Sequence, residues 1–534
     1  MSDSNTNGGL EGAIRHLARA IDELNRNLGA MQGAGVPAPA ADAASVPATD
    51  AAPAPATDTP PAPAADAAPV PAASAPVPAA SASVPASAPA SVAQPLRLAV
   101  VGTRGHGQKL IDAFGKLKQC RITHICDVDS KVGEETASAV RAKYGHQPVF
   151  VQDYRALLKL PEVDAVAIAT PHHWHALMAI WAVQAGKHVY LEKPVTHNLN
   201  EGPALLAAAR KYGRVIQAGT QLRSNTSLAA AGEYMRAGKL GRIIGVHCLI
   251  HKSRAPMPLS NDNKIPASVD YDLWCGPAPK SELTRSKFHY HWHWFWDYGN
   301  GALGNNGVHR IDAARIALDL KGLGDLALSI GGRFGPRDNG ETPNNQLTLH
   351  RFGDIWVLQD VLGLKPDPFR GIENGLLFYG TGGTILYKSG KATLLDDAGK
   401  PASVFDGSQE NHHQNFVDAV LAETPDAARG DLQEAVISGD LCHLGNISYR
   451  LGQAADDQDI ADTLTGLKVP DFVQERLQAQ RANLTKNGLK DRMILGRVLR
   501  PAASGDPLGH DAEARALGRN SYRSPYTLPA PDAV

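Results

Sequence analysis

Apolar residues recur at Ile14, Leu17, Ile21, Leu24, Leu28 and Met31, in alternating steps of three and four, which predicts a heptad helix over residues 1–33. Arg15, Arg19, Asp22, Glu23 and Arg26 fall off that seam, as a solvated face should. A seam of about three heptads is marginal for an isolated helix, so it calls for a partner surface. Self-association is expected ahead of docking on another protein. Over 34–95 the pattern vanishes into Ala, Pro, Ser and Val, a composition that cannot bury enough surface to offset chain entropy. That stretch reads as a disordered, extended spacer.

From Leu96 the pattern changes. The apolar run Leu96–Val101 leads into a glycine-rich turn and then an amphipathic stretch carrying Leu110, Ile111, Phe114 and Leu117. Further strands are predicted at 121–126, 165–169, 189–191 and 215–218, with helices over 131–144, after Pro171 and over 201–212. This alternation predicts a doubly wound parallel sheet, an α/β domain over 96–220. Beyond Gln221 the strands 243–250, 326–330, 346–350, 356–361 and 375–380 follow one another with glycine-rich turns and few helices. They define a second domain over 221–450, followed by a C-terminal extension over 451–534 expected to pack back on the body.

Composition narrows the function class. The 534 residues carry a formal net charge of −1 and no basic block, so neither nucleic acid nor an anionic membrane is an implied partner. A small molecule is. The five cysteines lack a C-x-x-C pair, which argues against a disulfide framework or a zinc site and for reduced thiols. With no cationic-then-apolar leader after Met1 and no apolar stretch long enough to span a bilayer, a cytoplasmic location is expected.

The candidate chemistry lies at the strand ends. Gly102-Thr103-Arg104-Gly105-His106-Gly107 follows the first strand and opens a helix, the order of a dinucleotide-binding turn, although Arg104 breaks the G-x-G-x-x-G spacing. Asp127 ends the second strand, where a carboxylate meets ribose hydroxyls and repels a 2′-phosphate, favouring NAD over NADP. Asp129 is the expected cap of the next helix. Thr170-Pro171 and Glu192-Lys193-Pro194 end later strands at the same sheet edge. Lys193 there is either a turn lysine or a donor to a substrate hydroxyl. His172, His173 and His175 lack a carboxylate or thiolate at ligand spacing, so no metal is expected.

In this order, with Gly219-Thr220-Gln221 and the run Asp297 to Asp312, the chain resembles the Gfo/Idh/MocA family of glucose-fructose oxidoreductase and inositol dehydrogenase from Leu96 onward. Asn520 to Tyr526 is similar to a closing strap seen in some members. The resemblance implies a Rossmann domain followed by an α/β domain with a large open, mainly antiparallel sheet that commonly mediates homo-oligomers. It implies cofactor contacts from Gly102 to His106, Asp127, Thr170, Pro171, His172, His175, Glu192, Lys193 and Gln221. It also implies that Lys193 polarises a substrate hydroxyl while His309 takes the proton. Asp312, three residues further on, would contact substrate or hold the imidazole. Where many members carry an aspartate four residues before the histidine, this chain has Asn305, which cannot relay a proton.

The run Phe288 to Trp296, with Arg223 and Tyr298, suits a carbohydrate wall, and His289 and Trp292 are its expected contacts. A hydrophobic core is the competing account for its tryptophans. The implied function is NAD-dependent oxidation of a secondary hydroxyl on a sugar, cyclitol or glycoside. Redox-assisted glycoside cleavage with recycled NAD and a non-catalytic sugar-sensing scaffold are the alternatives.

Overall fold

A computed structural model of the protein describes residues 94–534, apart from 260–263, 366–367, 397, 503–506 and 510. The expected heptad helix and all but the last residues of the spacer lie outside the described residues.

Six strands build the first sheet: β1 (Leu96–Val101), β2 (Cys120–Cys126), β3 (Val149–Val151), β4 (Ala165–Ile168), β5 (His188–Leu191) and β6 (Ile216–Ala218). Their order is β3-β2-β1-β4-β5-β6, with every neighbouring pair parallel. Strand β4 is buried along its whole length, as an unbroken apolar strand covered on both faces must be. The winding reverses between β1 and β4, so their carboxyl ends flank the crevice where such sheets bind ligands. Helix Ser130–Tyr144 starts where Asp129 accepts a hydrogen bond from the Val132 amide at 3.3 Å, and ends at Gly145 with φ 76°.

The second sheet has ten strands: β7 (Ile243–His251), β8 (Leu326–Gly332), β9 (Asn345–Phe352), β10 (Ile355–Leu362), β11 (Asn374–Gly380), β12 (Gly383–Lys388), β13 (Lys391–Leu395), β14 (Pro401–Val404), β15 (Gln453–Ala455) and β16 (Met493–Leu495). Strands β7 and β10 run parallel, and the other neighbouring pairs are antiparallel. Its inner face packs on helices Val308–Leu318 and Leu432–Arg450.

Two segments depart from the expected partition at 220 and 450. Helix His412–Leu421, inside the expected second domain, buries Phe416, Val417 and Val420 against Leu98, Phe114 and Tyr190 of the first sheet and its helix. Residues 451–495 are not an appended extension. They supply β15 and β16, and helices Asp457–Gly466 and Asp471–Lys486 place Ile460, Leu464 and Val473 over Leu328, Leu349 and Leu358 on the outer sheet face. An apolar stripe on a half-buried sheet requires a cover, and the chain provides its own.

A polar knot fixes that cover. The buried Asp360 carboxylate accepts from Arg476 Nε at 2.8 Å and Gln480 Nε2 at 2.8 Å, and meets His247 Nε2 at 3.0 Å and His251 Nε2 at 2.9 Å. Burial alone would raise its pKa, but the Arg476 guanidinium and the imidazoles hold it well below the usual carboxylate range. The last residues pack across both domains: Tyr526 sits edge-on to Trp174 of the first at 5.4 Å, and Arg523 pairs with Asp272 of the second at 2.8 Å. Among the described residues no helix is long and apolar enough to cross a membrane.

Burial holds His173, His293, His350 and His443 down to about 3, and His188, His197 and His247 to about 4. Each stays neutral in the folded chain and takes up a proton on unfolding below about pH 6.5, so its contribution to stability is lost as pH falls toward the folded value. Glu201 (raised to about 7) and Asp440, both raised by burial, act with the opposite sign. The imidazoles outnumber them. The urea midpoint is therefore expected to be lower at pH 5 than at pH 7, and an equal or higher midpoint at pH 5 would contradict the neutral assignment.

Candidate active site

A cavity of about 430 Å³ joins the glycine turn after β1 to the Lys193 turn after β5. Its first end is shaped by backbone. Gly102 adopts φ 76°, and a Cβ there would lie 2.9 Å from the Ala169 carbonyl oxygen, so only glycine lets the turn close on β4. A Cβ on Gly107 would lie 2.0 Å from the Gly102 oxygen, which sets how tightly helix His106–Phe114 approaches the strand. Gly105, at the start of that helix with φ 57°, has no atom within 4 Å of such a Cβ: it borders open space. That opening against a helix N-terminus, with Arg104 and Lys109 on its wall, fits a pyrophosphate.

Asp127 lines the same end but is already engaged. Its carboxylate accepts from the Thr103 amide at 2.8 Å, the Thr103 hydroxyl at 3.0 Å and the Asp129 amide at 3.0 Å. Burial pushes its pKa upward, and these donors pull it back. A carboxylate has about four lone-pair sites, so one remains for a ribose hydroxyl. Thr103 therefore acts on the cofactor site through Asp127. His289, expected against substrate, lies at this end instead, with Nε2 2.9 Å from Asp129 Oδ2. The residues present fit a dinucleotide.

At the other end Lys193 Nζ donates to the Asn305 carbonyl oxygen at 2.9 Å and to its Oδ1 at 3.1 Å. Burial lowers the Lys193 pKa, opposed by the neighbouring Glu192 charge. Asn305 belongs to a π-helical turn, Leu303–Gly307, of the kind that recurs at functional sites. The turn seats because Gly304 and Gly307 carry no Cβ: one would meet Asn300 Cβ at 2.3 Å and the other Gln359 Oε1 at 2.7 Å. Glu192 is a carboxylate held down to about 2, because His106 Nε2 at 2.9 Å and the Lys193 charge outweigh its burial. Gln221 stands behind it, donating to Tyr190 Oη at 3.2 Å and Glu192 Oε1 at 3.4 Å, so it buttresses Glu192.

The histidines divide by their partners. His175 spans the Pro194 carbonyl oxygen at 2.7 Å and the Thr170 carbonyl oxygen at 2.8 Å, tying the Thr170-Pro171 loop to the cis Lys193–Pro194 peptide. It lines the cavity as a brace, with both nitrogens occupied. His172 Nδ1 lies 3.1 Å from Asn300 Oδ1, and its ring meets Trp292 edge-on at 5.0 Å. His309, at the start of helix Val308–Leu318, is driven well below its ordinary pKa by burial and by the Lys193 ammonium.

Three expected contacts lie elsewhere. Arg223 and Asp312 satisfy each other: Nε to Oδ2 is 2.9 Å and Nη2 to Oδ1 is 2.7 Å, and Ser438 Oγ adds a bond to Asp312 at 2.8 Å. The three-residue spacing does put Asp312 near His309 on the helix, but a buried carboxylate goes to the strongest available cation. Tyr298 is core, packed on Trp274 at 4.8 Å with its hydroxyl donating to the Pro279 carbonyl oxygen.

Among the cavity residues that the sequence reading did not single out is His293. His293 stacks on Trp292 at 3.6 Å, and its Nδ1 lies 2.6 Å from the Tyr290 carbonyl oxygen. A carbonyl only accepts, so the proton sits on Nδ1 and the lone pair on Nε2. Its neighbours in the aromatic run gave no period by which to choose it, because 291–294 folds as a 3₁₀ turn.

Breaking the buried pair by Arg223→Met is expected to lower the unfolding free energy by about 3–5 kcal/mol. Ligand affinity per folded molecule should be unchanged. Denaturant titration beside a binding assay decides it: an affinity loss without a stability loss would return Arg223 to the cleft.

Residues 96–220 match the oxidoreductase family model described as an NAD-binding Rossmann fold, and residues 257–330 match the model of its C-terminal alpha/beta domain. The chain is 32% identical over 162 residues to inositol 2-dehydrogenase 1 of Saccharopolyspora erythraea, covering 30% of this chain and 47% of that one. It is 37% identical over 112 residues to a glycosyl hydrolase family 109 protein of Solibacter usitatus, covering 20% and 26%. The chain thus spans about half or less of the length of these curated relatives. The WlbA dehydrogenase of Chromobacterium violaceum, solved with NADH and UDP-GlcNAcA, shares the fold at TM-score 0.51 and 17% identity, over 68% of this chain and 96% of that one. Both domain models of the Gfo/Idh/MocA oxidoreductase family are thus matched in order, over residues 96–220 and 257–330.

Proposed function

We propose that the protein is an NAD-dependent oxidoreductase acting on a secondary hydroxyl of a sugar, cyclitol or glycoside. The observation that carries this reading is one continuous cavity with a dinucleotide turn at one end and the Lys193 ammonium at the other. When bound, NAD supplies a hydride acceptor; the chain's own residues do the rest. The Gly102 to Gly105 turn and the helix N-terminus behind it hold the pyrophosphate, and Asp127 takes a ribose hydroxyl.

Lys193 donates to the reacting oxygen. Its present acceptor, Asn305 Oδ1, marks where that oxygen competes for the ammonium. Stabilising the developing alkoxide needs a cation in a low-dielectric setting, and burial supplies it. The proton passes to a neutral imidazole, and His309 beside Lys193 is the assigned acceptor. His293, neutral on the cavity wall with a bare Nε2, is a second candidate. Association through the second sheet is confined in this reading to its β12–β14 end, because helices 457–466 and 471–486 occupy the face over β8–β10 and Phe472 reaches Tyr379 of β11 at 4.9 Å.

Lys193→Met and His309→Ala are each expected to lower kcat by about 10²–10⁴-fold, with nicotinamide nucleotide affinity retained by tryptophan fluorescence titration. Unchanged turnover in both would remove the assigned roles. Turnover that falls in His293→Gln and survives in His309→Ala would move the proton acceptor to the cavity wall.

The similarity to a glycosyl hydrolase family 109 protein favours a second reading, in which transient oxidation acidifies a neighbouring C–H, the aglycone is eliminated and NAD is recycled. Incubation with NAD and a panel of sugars, inositols and glycosides separates the two. Net accumulation of reduced nicotinamide is expected from simple oxidation. Aglycone release with catalytic NAD and no net absorbance change would instead establish the cleavage reading.

A further inference from the structure

A second cavity, of about 300 Å³, adjoins the first. Lys252, Arg254 and Asn306 line both, so they form the wall between them. The segment bearing the two cations continues β7 and is pinned to the end of β10 by backbone bonds from Lys252 to the Leu362 oxygen at 3.0 Å and from Arg254 to the Gly363 oxygen at 2.8 Å. Residues two apart on an extended segment present their side chains to one side. Asn306 follows Asn305, the acceptor for Lys193, in the same π-helical turn.

What this wall lacks is acceptors. Lys252 Nζ has no partner among the described residues. Arg254 gives one N–H to the Tyr290 hydroxyl and lies over the Trp294 ring at 5.0 Å, with no carboxylate to balance its charge among the described residues. Asn306 Nδ2 is buried with no hydrogen-bond partner. The carboxylate on the second cavity's wall, Asp338, is taken by Arg333 at 2.6 Å. Two unneutralised cations and an orphaned amide thus stand on one wall. A neutral hydroxyl answers this poorly, because it brings a proton that needs an acceptor of its own. An anionic oxygen group accepts from all three and is matched by charge.

We propose, building on the reading of the first cavity as a hydroxyl-oxidising site, that Lys252, Arg254 and Asn306 form an anion subsite and that the preferred substrate is a sugar or cyclitol bearing a carboxylate or phosphate. The reacting hydroxyl lies on the Lys193 side of Asn306 and the anionic group on the far side. Lys252 and Arg254 are then specificity residues, which set which molecule is bound while Lys193 handles the reacting oxygen.

The test uses the full chain with NAD and matched sets of a neutral sugar, its uronic acid and its phosphate ester at fixed ionic strength. Binding is read by tryptophan fluorescence and turnover by nicotinamide absorbance. At least one anionic member is expected to bind about tenfold or more tighter than its neutral parent, as one charge-assisted contact allows. Which anion wins identifies the group. Lys252→Met, at an exposed position, and Arg254→Met should each cut that preference by about tenfold, while Arg254→Lys should retain part of it. Equal binding of neutral and anionic members by the wild type, or a preference untouched by both methionine variants, overturns the subsite. Charge-dependent binding without turnover of any member keeps the subsite and removes the oxidoreductase reading. Turnover of neutral members without a charge preference does the reverse.

Discussion

A lysine ammonium withdrawn from water must be given acceptors, and the site is arranged around meeting that demand for Lys193. Glu192 supplies charge from the same turn, and Asn305 supplies two oxygens from the second domain. Each supporter has its own support. Glu192 is held by His106 from the helix that opens the glycine turn and by Gln221, and Asn305 is held by a π-helical turn that two glycines allow to seat. One buried charge therefore couples the nucleotide turn, the β5 turn and the second domain. Position 305 also shows why an amide suffices here: with Glu192 already countering the charge, the ammonium needs oxygen atoms more than a second carboxylate.

Much of this was legible in the sequence because it rests on local chemistry. The parallel strands read as short apolar runs, helix 201–212 was placed to the residue, and the Asp129 cap followed from a carboxylate just ahead of a helical pattern. The cavity-lining Gly102, Gly105, Asp127 and Lys193 were found for the same reason, since strand ends and glycine turns mark the binding edge of such a sheet. Pairings set by tertiary contact were not legible. Nothing near Arg223 or Asp312 says that they neutralise each other across 89 positions, and nothing near Tyr298 says that its hydroxyl ends on the Pro279 carbonyl.

Lys252 and Arg254 failed to stand out for a different reason. They follow directly on a strand end, the signal that picked out Lys193, but that strand belongs to a mainly antiparallel sheet, where strand ends carry no general rule about ligands. Their meaning comes from what surrounds them. The histidines teach the same lesson, since four of the rings in or beside the cavity share a residue type yet divide into a carbonyl brace (His175), an amide-held wall (His172), a ring stacked on tryptophan (His293) and a ring beside an ammonium (His309).

The Asp360 knot gives the second sheet a character its strand pattern conceals. A carboxylate shared by two imidazoles from β7 and two donors from helix 471–486 cannot be left half made, because removing the helix would strand a charge on a dry surface. The helix is therefore part of the sheet's folding unit, however far along the chain it lies. Sequence change on this face is constrained by internal balance of charge, so drift there should proceed in compensated pairs.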